Sequence, residues 1–63
     1  MTREQYINAT VARLLALRDI SRESGMSTTR SQRTIMQQLS DDILPEVALL
    51  LKQKESEREG GAR

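Results

Sequence analysis

Cysteine, histidine, tryptophan and phenylalanine are all missing from these 63 residues, and proline and tyrosine occur once each. Without cysteine there is no disulfide to staple a small fold and no thiolate chemistry. Without histidine there is no imidazole base, and zinc-finger ligand sets lose both of their residue types. Tyr6, the lone aromatic, provides no platform on which nucleobases could stack. No apolar run approaches the roughly 20 residues needed to span a bilayer; the longest is Val47 to Leu51. The N-terminus lacks a charged-then-apolar leader, so the expectation is a cytoplasmic protein without a membrane partner. Asp42 and Glu46, four apart beside Asp41, read as a solvated acidic face rather than a metal site. No nucleophile–base set and no glycine-rich phosphate loop is present, so neither a cofactor nor an enzymatic activity is expected.

What remains is a charged, helix-forming chain with a net charge of +1 that is unevenly spread. Residues 1–37 carry six arginines (3, 13, 18, 22, 30, 33) against Glu4, Asp19 and Glu23. Residues 38–63 carry Lys52, Lys54, Arg58 and Arg63 against six carboxylates. A basic front and an acidic back suit nucleic acid, an acidic protein, or head-to-tail pairing of two copies.

Thr2-Arg3-Glu4-Gln5 fits a capping box, with threonine as N-cap and glutamine three residues on. Neither glycine nor proline follows until Gly25, which suits a left-handed helix end. Ile7, Val11 and Leu14 recur at helical spacing, which predicts a first helix over about 3–24, with Arg18 inside the apolar arc. Ser27, Thr28 and Thr29 are candidate N-caps for a second helix. Its stripe of Gln32, Met36, Leu39, Ile43, Val47 and Leu50 keeps phase through Pro45. That phase predicts one helix over about 28–55, kinked at the proline; the alternative is a fresh start at Ser40, with Asp41 and Asp42 in its first turn. The last residues, 57–63, are charged and glycine-containing and are expected to fray.

The fold class expected is therefore all-α: a two-helix antiparallel hairpin over residues 1–56, folded at residues 25–28. Such a hairpin sets Leu14 near Leu39, Val11 near Ile43 and Ile7 near Val47, while Leu49 to Leu51 run past the start of the first helix. A chain this small buries only roughly 60% of its unfolded surface. Self-association into a dimeric four-helix bundle or a higher oligomer is the expected remedy, with Ile7, Val11, Leu14, Leu39, Ile43, Val47 and Leu50 as interface residues. Arg18, Arg22, Arg30 and Arg33 are the expected contacts to a protein or nucleic-acid partner.

Residues 19–27, DISRESGMS, resemble the first half of a helix-turn-helix motif through Ser21, Gly25, Met26 and Ser27. That resemblance implies a nucleic-acid-binding regulator, with Arg30 and Arg33 facing bases and Arg22 on phosphate. The pattern departs where a recognition helix needs apolar anchors, because those positions hold Ser31 and Thr34. In length and layout, and in its opening MTREQYINAT, the chain resembles the short helical accessory proteins of lambdoid phages encoded between the exonuclease and excisionase genes. This second resemblance implies a non-enzymatic helper that binds host or phage proteins and favours lytic growth over lysogeny.

Overall fold

The computed structural model describes residues 1–61, with side chains described through residue 58. Three helices form: α1 over Arg3–Ser24, α2 over Thr29–Gln37 and α3 over Leu44–Gly61, with no strand among the described residues. The helix α1 begins as its sequence dictates. The Thr2 hydroxyl accepts the Gln5 amide at 3.1 Å, and the Gln5 side chain accepts the Thr2 amide at 3.0 Å, satisfying two otherwise orphaned donors. It ends at Gly25, whose φ of 73° lies in the left-handed region and whose amide donates to the Ser21 carbonyl at 2.9 Å.

Thr28 takes the N-cap position of α2 but does not cap it with its side chain. Its hydroxyl instead donates to the Leu17 carbonyl at 3.0 Å and accepts from Gln32 Nε2 at 2.8 Å. The threonine is spent on tying α2 back against α1, and α2 runs antiparallel to α1 from there.

The single helix expected over 28–55 does not form. Helix α2 closes tightly at its C-terminus, with the Gln38 amide bonding Ile35 at 3.2 Å and the Leu39 amide bonding Met36 at 3.2 Å. The Ser40 carbonyl then accepts the amides of Ile43 at 3.1 Å and Leu44 at 2.9 Å, which starts a new helical turn. Pro45 follows as the second residue of α3, in the first turn, where a missing N–H costs little. Of the two sequence readings, the fresh start near Ser40 is the nearer one. Of the tail expected to fray, residues 57–61 form the last turn of α3, and residues 62 and 63 lie outside the described ones.

The break reverses the chain, and α3 returns parallel to α1. Arg3 at the start of α1 meets Glu46 at 3.0 Å, and Asp19 near its end meets Arg58 at 2.9 Å. Helix α1 is thus central, with α2 and α3 both packed on it. Between them lies a core of Ile7, Val11, Leu14, Leu39, Val47 and Leu51, with Ile43 and Leu50 packed against its edge. Leu14 and Val47 are fully enclosed at 1% and 0% exposure. The residues expected to join two copies therefore close the core of one chain. Leu50 and Leu51 do not overhang, because the reversal lays them along the first half of α1.

Candidate interaction surface

The charge asymmetry of the sequence is partly consumed within the fold. Arg3 clamps the N-terminal ends of α1 and α3 by pairing with Glu46 and by donating to the Asp42 carbonyl at 3.2 Å. Arg18 bridges all three helices: it pairs with Glu55 on α3 while its Nε donates to Gln32 Oε1 on α2 at 3.3 Å. This bridge accounts for an arginine in the apolar arc, and the Arg18 side chain stays 42% exposed beside it. At the other end, Arg58 grips Asp19 in a two-pronged pair with both N–O distances at 2.9 Å. This fork holds the Asp19 carboxyl below its usual range and keeps the Arg58 guanidinium firmly charged. Asp42 is lowered as well, first by the 2.6 Å bond from the Ser40 hydroxyl and then by backbone amides and Arg3.

Arg13, Arg22, Arg30 and Arg33 have no carboxylate partner among the described residues. Three of these were legible as candidates; Arg13 was not. It gains its significance from the fold, because α2 brings Arg30 to the same side of α1. Between the two helices runs an open groove of about 410 Å³, lined by Arg13, Leu17, Arg30, Ser31, Thr34 and Ile35. Leu17 and Ile35 are half-buried and form an apolar floor, and the two arginines stand on opposite walls. Ser31 and Thr34 occupy the places where the helix-turn-helix pattern has apolar anchors, so α1 and α2 do not fill the space between them. The Thr34 hydroxyl is bonded back to the Arg30 carbonyl at 3.0 Å, which uses its proton within α2. Arg22 lies on the other flank of α2, in a shallow cleft with Arg18, Ser21 and Gln32.

Other departures from the helix-turn-helix pattern follow from the geometry. Gly25 makes the turn, but Met26 is 69% exposed, where the motif uses an apolar residue for packing. The outward side of α2, with Thr29, Arg30, Arg33, Thr34 and Gln37, is exposed, and the helix holds no acidic residue. The outward side of α1 is unlike it. Ala9, Ala12, Ala16 and Ile20 follow one another at spacings of three, four and four and are all exposed, Ile20 at 51%. On α3, Leu49 is exposed at 59%.

Among the described residues no cluster of three or more acidic side chains is placed to hold a metal ion, and no helix is long and apolar enough to cross a membrane. Comparisons with protein-family models, with curated proteins and with solved structures return no match for this chain.

Proposed function

We propose that this chain is a small non-enzymatic regulatory accessory of the phage type, acting by protein–protein interaction in the cytoplasm and favouring lytic development over lysogeny. The resemblance of its length, layout and opening segment to the lambdoid early-region accessory proteins supports the regulatory setting. The observation that carries the binding role is apolar surface left over once the core is closed. Ile20, Met26 and Leu49 remain at 51, 69 and 59% exposure although six other residues have satisfied the core within one chain. Self-association, on this reading, uses the outer strip of α1, where Ala9, Ala12 and Ala16 let a second helix approach closely and Ile20 supplies apolar area. The test is affinity capture from a lambdoid-infected host with wild type and with an Ile20→Glu/Leu49→Glu variant, read alongside lysogenisation frequency. A phage or host protein captured only by wild type, with more lysogens formed in the presence of the variant, is the expected outcome. Equal capture and equal lysogeny with a folded variant contradict it.

A second reading, a helix-turn-helix-like transcriptional regulator, is favoured by the acid-free outer side of α2 carrying Arg30 and Arg33. Its test is titration against genomic fragments at near-physiological salt. A complex that survives competitor DNA and is lost in Arg30→Ala/Arg33→Ala supports it, whereas binding that disappears with modest salt is only phosphate attraction.

A further inference from the structure

We infer that the α1–α2 groove is the docking site for an acidic, amphipathic peptide segment of a partner protein, with an apolar side chain on the Leu17/Ile35 floor and carboxylates on Arg13 and Arg30. The inference rests on the protein-binding reading above and specifies the chemistry of the partner. Three observations converge on one occupant.

The first is the shape and chemistry of the groove. It holds about 410 Å³ of open space between two helices, enough for one or two side chains of an incoming segment. Its floor is apolar and half-buried, so an apolar side chain gains by covering it. The second is charge. Arg13 and Arg30 flank the floor and lack carboxylate partners among the described residues, whereas Arg3, Arg18 and Arg58 are each paired across helices. Helix α2 adds to this field. No acidic residue sits in its first turn to offset the positive end of the helix beside Arg30, where the Ser27 hydroxyl accepts the Thr29 amide at 3.4 Å. The third observation separates the possible partners. A second copy of this chain is the weaker source of acid, since Asp19, Asp42, Glu46, Glu55 and Glu57 are engaged in ion pairs and, among the described residues, only Glu4, Glu23 and Asp41 remain. Groove shifts that grow with protein concentration in the absence of peptide would assign the groove to a second copy instead. A duplex backbone would meet the arginines but offers no apolar side chain for Leu17 and Ile35. An acidic segment of a different protein, with an apolar residue beside the acid, supplies both.

The probe is a 12-residue helix-forming peptide of leucine and glutamate, with leucines at helical spacing on one face. Its control has every leucine replaced by serine at the same charge. Amide shifts of the isotope-labelled chain are followed to about 1 mM peptide, the weak end of specific binding. Shifts concentrated at Arg13, Leu17, Arg30, Ser31, Thr34 and Ile35, absent with the serine control and reduced at least about tenfold in apparent affinity by Arg13→Glu/Arg30→Glu, are expected, the tenfold corresponding to about 1.4 kcal/mol. A second variant, Ser31→Leu/Thr34→Leu, fills the groove with the chain's own side chains. It should keep a helical, cooperatively melting fold and lose the peptide. No shifts at these six residues, shifts equal for the serine control, or binding retained by the filled variant each overturn the assignment. Shifts produced at the same residues by a duplex oligonucleotide but not by the peptide also overturn it, in favour of nucleic acid. If a partner captured from the infected host is still held by the filled variant, the groove assignment fails while the protein-binding function stands.

Discussion

Truncating Leu14 to alanine tests the core at its most enclosed point. Leu14 is 1% exposed and sits on the central helix, between the two helices that pack on it. The substitution removes three carbons, worth about 2.4 kcal/mol of transfer at about 0.8 kcal/mol per methylene. Incomplete collapse of the surroundings adds a cavity term, and measured leucine truncations fall at about 2–5 kcal/mol. Helices joined by short turns and bordered by an open groove can relax, which points to the lower half of that range, about 3 kcal/mol. A chain of 63 residues has a total of roughly 3–9 kcal/mol to lose. Urea unfolding followed by circular dichroism at a helical wavelength should therefore show a midpoint lowered by about 2–3 M, given a slope near 1 kcal/mol/M for so small a domain. Leu49→Ala is the control: Leu49 is 59% exposed, and its loss should stay within about 0.5 kcal/mol. The gap between the two variants should be the same at low and high protein concentration, since Leu14 is covered by its own chain. Equal costs for the two variants, or a Leu14→Ala cost below about 1 kcal/mol, would refute the reasoning.

Three further outcomes are expected. Pro45→Ala should change stability by less than about 1 kcal/mol, because the proline lies in the first turn of α3; a gain near 3 kcal/mol in the same urea assay would mean that it interrupts a continuous helix. Gly25→Ala should cost about 1 kcal/mol from the left-handed backbone alone, since an added Cβ meets nothing within 4 Å; a neutral thermal melt would show that the turn does not hold φ at 73°. Asp19 and Asp42 are both held below the usual carboxylate range, so the stability they contribute is complete above that range and is lost as pH falls through their lowered folded-state values. Melting temperature should accordingly drop below about pH 4, and less steeply in Asp19→Asn and in high salt; identical pH profiles for wild type and variant would remove the Arg58 fork as the cause.

The first helix was legible almost residue by residue, because its ends depend on local chemistry. The capping box at Thr2 and Gln5 and the left-handed Gly25 need nothing from the rest of the fold. The break between α2 and α3 was harder to read. The turn at Ser40 to Leu44 is itself helical in its hydrogen bonding, so the apolar stripe keeps its phase while the chain changes direction. Pro45 fits both a kinked helix and the first turn of a new one, and sequence alone did not separate them. A single helix over 28–55 would leave Leu50 and Leu51 unpartnered and Ile7, Val11, Leu14, Leu39 and Val47 available to a second copy. The candidate arginines were visible by type, but not by state. Arg18 is engaged because α3 brings Glu55 to it, and Arg13 meets no carboxylate among the described residues. Those pairings depend on the direction of α3, which no local pattern encodes. The groove, in contrast, had a trace in the sequence: Ser31 and Thr34 stand where a tightly packed second helix would carry apolar residues.

The most direct measurement is an isotope-filtered nuclear Overhauser experiment on a one-to-one mixture of methyl-labelled and unlabelled chains. It reads contacts from Ile7 to the methyl groups of Leu50, which line one cleft between α1 and α3, and from Leu17 to those of Ile35, which line the groove between α1 and α2. The expected result is that these contacts arise within the labelled chain and vanish from the spectrum that selects pairs between labelled and unlabelled copies. Contacts between Ile7 and Leu50 that appear only across chains would contradict a core closed within one molecule and restore a two-chain bundle.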